Sequence, residues 1–140
     1  MIRQAIGKLF IMERNEMAKN ILLIDDDELV TGSLKLLLKR EGYGVDIARS
    51  GWEAVKKVER ADFDLIIFDV RMPDMDGIET IKKIRDYLKN ANKRPIPEIL
   101  ITGYADKDKY EEGIALNVAN YLYKPFDNDE LFRAVKDNIH

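Results

Sequence analysis

The chain of 140 residues carries 23 Lys and Arg against 26 Asp and Glu, a formal net charge of −3, with no cysteine and a single histidine, His140, at the last position. That balance gives no general affinity for nucleic acid or for an anionic membrane, and the lack of thiols excludes disulfide frameworks, thiol catalysis and thiolate metal sites while suiting a reducing cytoplasm. The length fits one domain with a core large enough to fold without staples, and a terminal His disfavours imidazole catalysis, zinc triads and a phosphohistidine carrier role.

Residues 1 to 19, MIRQAIGKLFIMERNEMAK, carry charges too early and too often for a secretory signal. Ile2, Ile6, Leu9 and Phe10 fall near one helical face, so this stretch reads as a flexible extension or a short amphipathic helix ahead of a domain spanning 20 to 140. From residue 20 onward, apolar strand-like runs alternate five times with helical patterns. The strands are predicted at 21–25, 43–48, 65–69, 98–102 and 120–123. Two of these contain ILLI and LIIF, apolar on both faces, which suits parallel strands covered by helices on each side. Both are far too short to span a membrane, so the chain is expected to be soluble and cytoplasmic.

Helical stripes lie between the strands. Val30, Leu34, Leu37 and Leu38 form the first, Ala54, Val55, Val58 and Ala61 the second, Ile81, Ile84 and Leu88 the third. The stretch near 107 to 116 is the least amphipathic, and Leu131, Ala134, Val135 and Ile139 complete the series. Start signals agree: Ser50 with Glu53, Asp76 with Glu79 and Asp127 with Glu130 each pair a cap residue with an acid three later. Asp27 and Glu28 suit the start of the first helix, Gly42 can close it in the left-handed conformation, and Asp74 and Asp76 read as turn and cap residues around Gly77 rather than as ligands. Trp52 reads as helix packing, and the cations Lys82, Lys83, Arg85, Lys89, Lys93 and Arg94 as a solvated face, with Tyr87 the one aromatic among them. Right-handed crossovers turn such a (βα)5 chain into a doubly wound α/β sheet, with its site beyond the carboxyl ends of the strands.

Asp25, Asp26, Asp27 and Glu28 stand directly behind ILLI. Two carboxylates 4 Å apart repel by ~1 kcal/mol in water and ~4 kcal/mol at a protein surface, so something must offset them. Asp25 and Asp26 follow the first strand, Asp69 ends the third, Thr102 ends the fourth and Lys124 follows the fifth. If strands one and three are neighbours, three carboxylates converge, and Mg²⁺, a hard cation that uses one or two carboxylates plus waters, is the natural compensation. One carboxylate can then attack phosphorus, with Lys124 and Thr102 placed to meet the developing charge.

The segments LLIDDDE, DLIIFDVRMPDMDG, ILITGYAD and NYLYKPF, in that order, resemble the receiver domain of two-component response regulators, of the stand-alone chemotaxis-regulator type. The resemblance implies the flavodoxin-like strand order 2-1-3-4-5, with Asp69 as phospho-acceptor. It places Mg²⁺ on Asp25, Asp26, Asp69 and the main-chain carbonyl of Arg71, with Asp26 the more direct ligand of the acid pair. Thr102 and Lys124 would bind the phosphoryl oxygens, the Lys124–Pro125 peptide would be cis, and Tyr121 would be the aromatic switch coupled to Thr102. It further implies a sensor histidine kinase or phosphotransfer protein as donor. Output would pass to a downstream protein through the face of the fourth helix, fifth strand and fifth helix, without direct nucleic-acid binding or a membrane span.

Some positions depart from the commonest family pattern. Asn117 and Val118 replace Gly-Ala, Tyr123 stands before the lysine, and Arg71 and Tyr104 flank the site as bulky residues expected to slow loss of the phosphoryl group. No effector region follows residue 139, so the chain reads as a stand-alone receiver or as one cut from a longer protein. Three other readings compete. A haloacid-dehalogenase-like phosphohydrolase would need Asp-x-Asp, whereas position 71 is Arg. An FMN carrier would suffer repulsion between four acids and the flavin phosphate. A pseudo-receiver would bind partners without phosphorylation.

Overall fold

Residues apolar on both faces need cover on both faces, and three successive central strands meet that condition. The computed structural model describes residues 18–72, 74–103 and 107–140, with 107–110 described by backbone alone. Five parallel strands, β1 (Asn20–Ile24), β2 (Gly44–Ala48), β3 (Leu65–Asp69), β4 (Glu98–Thr102) and β5 (Asn120–Tyr123), alternate with α1 (Glu28–Arg40), α2 (Gly51–Arg60), α3 (Gly77–Asn90), α4 (Lys107–Ala115) and α5 (Asn128–Asn138). The sheet order is β2-β1-β3-β4-β5, the flavodoxin-like order the sequence implied. The expectation for residues 1 to 19 lies outside the described residues except at its last two positions.

Alternation along each strand sorts the core into two layers. Ile21, Leu23, Leu65, Ile67, Ile99 and Ile101 pack with Leu34 and Leu38 of α1 and with Leu131, Ala134 and Val135 of α5. Leu22, Ile24, Ile66, Phe68 and Leu100 pack with Ala54 and Val58 of α2 and with Ile78, Ile81, Ile84 and Leu88 of α3. Every residue of β3 and β4 is buried, including the acid Glu98.

Helix starts follow the cap residues. The Asp27 carboxylate accepts from the amides of Leu29 and Val30, and Ser50, Asp76 and Asp127 each accept from the amide three residues on. Gly42, at φ 94°, closes α1, with Gly42 N–H donating to Lys39 and Tyr43 N–H to Leu38. That bond keeps Tyr43 out of β2, which begins one residue later than the apolar pattern implied. Asn20, invisible to that pattern, starts β1 opposite Gly44.

Asn117 takes the left-handed conformation at φ 56° after α4, as its side chain permits, and Asn92 does the same at φ 54° after α3. Two expectations need correction. Trp52 is 54% exposed rather than packed, with the Lys83 ammonium 5.4 Å from its ring centroid. Arg85 does not belong to a solvated face: it makes a two-point ion pair with buried Glu98, at 2.9 Å from Nε to Oε2 and 2.5 Å from Nη2 to Oε1, and its Nη1 donates to the Leu116 carbonyl at 2.7 Å. Among the described residues, no helix is long and apolar enough to cross a membrane.

Candidate functional site

Because β1 and β3 are neighbours, with Ile24 opposite Phe68, the residues that leave their carboxyl ends must meet. Asp25 and Asp69 are 6% and 7% exposed. Asp25 remains tied to the sheet through its N–H, which donates to Ala48, and its Oδ1 accepts from the Asp27 amide at 3.0 Å. Asp69 Oδ1 accepts from the Arg71 amide at 3.0 Å, and Lys124 Nζ donates to Asp69 Oδ2 at 2.7 Å. The Lys124–Pro125 peptide is cis.

Burial is the largest influence on Asp25 and, with the nearby Asp69 charge adding to it, pushes its carboxyl up to about 6 against the pull of the Asp27 amide and Lys124. The shift records first the water lost around the carboxylate and only then its acid neighbours, and a cation beside it would favour the charged form. Of the three carboxylates expected to converge, Asp25 and Asp69 are buried and Asp26 stands on the exposed rim, where its charge still acts on Asp25. Among the described residues, no three acidic, His or Cys side chains close into a metal cage. A Mg²⁺ ion needs no such cage, since one or two carboxylates, a carbonyl and waters satisfy it. Two buried acids with one ammonium therefore fit that ion.

Thr102 is buried at the end of β4, and its carbonyl accepts from the Lys124 amide, joining the ends of β4 and β5. Tyr121 is half-buried against the α2–α3 layer and donates its hydroxyl to the Gly113 carbonyl of α4 at 3.3 Å. Arg71 is exposed. Tyr104 lies outside the described residues. At Gly77 an added Cβ would overlap the Asp69 carbonyl oxygen, so α3 starts directly against the end of β3.

Two neighbours of the site were read only in part from the sequence. Asp74, expected in the turn, reaches across to α2, where its two oxygens accept from the amides of Gly51 and Trp52 at 3.0 and 3.1 Å. Burial opposes these bonds, yet they hold its carboxyl below the ordinary value. Glu28 pairs with Arg49 at 2.8 Å on the same rim. The spacing of the turn marked Asp74, but nothing local could name its partner. A concavity of about 870 Å³ lies at the other end of the sheet beside Leu88, Ile96 and Ala119, and the acid pair is no part of it.

Fold and site together define a flavodoxin-like α/β protein with a buried acid pair and an ammonium at the carboxyl ends of its strands. The chain matches the model of the response regulator receiver domain over residues 21–136. It is 38% identical over 112 residues to the transcriptional regulatory protein ZraR of Klebsiella oxytoca, covering 80% of this chain and 24% of that protein. Identity to the transcriptional regulatory protein ResD of Bacillus subtilis strain 168 is 34% over 116 residues, covering 83% and 46%. The chain thus spans less than half the length of either relative. Among solved structures, the chemotaxis protein CheY4 of Vibrio cholerae superposes with a TM-score of 0.77 at 30% identity, covering 87% of this chain and 99% of that one. This chain belongs to the response regulator receiver domain family, the phosphorylation-accepting signalling modules of two-component systems.

Proposed function

We propose that Asp69 accepts a phosphoryl group from the phosphohistidine of a sensor histidine kinase or phosphotransfer protein, in a Mg²⁺-dependent reaction, and that the α4–β5–α5 face then changes its protein partner. The observation that carries this reading is the Lys124 ammonium at 2.7 Å from Oδ2 of buried Asp69, beside the second buried acid, Asp25.

An Asp69 carboxylate oxygen forms its bond to phosphorus as the donor's nitrogen–phosphorus bond breaks, and the electron pair returns to the imidazole. Asp25, Asp69 and the Arg71 carbonyl would hold Mg²⁺, with Asp26 approaching from the rim. When bound, the ion offsets the charge of the carboxylates and of the phosphoryl oxygens. Lys124, already on Asp69, passes to a phosphoryl oxygen as charge leaves the carboxylate, and the Thr102 hydroxyl donates to another. Movement of Thr102 gives Tyr121 space to leave Gly113, which alters the α4 face where Ile114 and Tyr123 are exposed. Output then proceeds by protein contact.

Intact mass after incubation with acetyl phosphate and Mg²⁺ tests the reading. The expected result is a gain of one phosphoryl group, labile to alkali, abolished by EDTA and absent from Asp69→Ala. No gain, together with no binding of beryllium fluoride, overturns it and leaves a pseudo-receiver that works by contact alone.

A further inference from the structure

The first three amides of a helix have no partner within it, and in α2 all three are met by side chains. Ser50 Oγ accepts from Glu53 at 3.1 Å. The amides of Gly51 and Trp52 donate to Asp74, which lies more than twenty residues further along the chain, in the loop between β3 and α3. That loop carries the Arg71 carbonyl. Its base is pinched where Gly77 N–H donates to the Val70 carbonyl at 2.8 Å. Toward its far end, Met75 is buried against α2, at an approach that a Cβ on Gly51 would block by overlapping Met75 Cγ and Thr80 Oγ1. Apolar contact by Met75 sets how close the loop comes, whereas the two-point bond of Asp74 sets its orientation on the helix end.

We propose that Asp74 is a positioning residue for the phosphoryl-transfer site: its carboxylate fastens the loop bearing the Arg71 carbonyl to the amino end of α2 and thereby holds that carbonyl in place for a divalent cation. The inference rests on the proposed function, because it assigns Arg71 to the metal side of that site. Both Asp74 oxygens are engaged by the α2 amides, and the residue is given no contact of its own with the reacting atoms or the ion. Its effect is on the geometry of a ligand, in the way that partners of metal ligands act elsewhere.

The test separates loop positioning from helix capping. Ser50→Ala removes the other side-chain cap of α2 while leaving the loop fastened. Asp74→Ala releases the loop, and Asp74→Asn keeps one acceptor oxygen. In the 140-residue chain and each variant of it, Mg²⁺ is titrated and followed through the backbone amide shifts of Asp69 and Arg71, alongside the thermal midpoint. Asp74→Ala is expected to raise the Mg²⁺ half-saturation point roughly tenfold, with Asp74→Asn intermediate. Ser50→Ala should lower the thermal midpoint much as Asp74→Ala does, yet leave Mg²⁺ binding unchanged. Wild-type Mg²⁺ affinity in Asp74→Ala, or an equal loss in Ser50→Ala, overturns the inference while the proposed function stands. A wild-type protein that binds no Mg²⁺ overturns both.

Discussion

Lys124 Nζ lies 2.7 Å from Asp69 Oδ2 although the two residues are 55 apart in the chain. The Asp69 side chain is 9% exposed and that of Lys124 42%, so the ammonium spans from a buried carboxylate to the solvent. Replacing Lys124 by Met keeps most of the length of the side chain and removes the charge. Phosphorylation by acetyl phosphate should slow by about 100-fold, the usual cost of losing one donor to developing negative charge. Mass spectrometry over time measures it, and a rate equal to the wild type would remove Lys124 from the chemistry.

Asp25 makes the metal-free protein sensitive to pH. Its carboxyl titrates at about 6 when folded, because burial and the Asp69 charge raise it from 3.8. Between those values the folded state keeps a proton that the unfolded state has released. The stability linked to that proton is complete below the unfolded value and is lost as pH rises through about 6. The urea midpoint of the metal-free protein should therefore fall as pH rises from 3.8 to about 6 and level off above that, by more than in Asp25→Asn. In the proposed site Mg²⁺ would compete with the proton for the same oxygens, so its affinity should weaken as pH falls through about 6. Identical pH dependence in Asp25→Asn would refute the assignment.

Arg85 and Glu98 hold α3, the start of β4 and the residue after α4 together. Arg85→Met strands a buried carboxylate, and since the guanidinium side chain is 36% exposed the cost should be about 2 kcal/mol, below that of a fully buried pair. The double variant Arg85→Met, Glu98→Val removes the charge as well and should recover part of that loss. Urea denaturation of both proteins checks the order.

Arg71 stands exposed two residues beyond Asp69, and Tyr104 follows β4 in the sequence. If their bulk obstructs the attacking water, Arg71→Ala, Tyr104→Ala should lose its phosphoryl group severalfold faster than the wild type. An unchanged decay of the phosphorylated mass would sink this account.

The strands and helices were legible because each has a local cause. ILLI and LIIF are apolar on both faces, and Ser50, Asp76 and Asp127 cap the helices they precede. Tyr43 and Asn20 shifted the boundaries by one residue because a backbone hydrogen bond decided each, and periodicity does not report such bonds. The acids after β1 and at the end of β3 were visible as a charge problem that called for a cation.

The sequence by itself determined the alternation of elements and the caps, since these depend on neighbours a few positions away, and it marked the strand ends where the candidate site residues stand. Only the tertiary structure decided that Asp25 and Asp69 are buried as a pair while Asp26 stays on the rim. It alone decided that Asp74 reaches α2, that Arg85 finds Glu98 and that Trp52 faces solvent. Those outcomes depend on which strand ends lie side by side and how deeply each side chain is taken from water. Both are properties of the packed sheet, set by contacts between residues far apart in the chain.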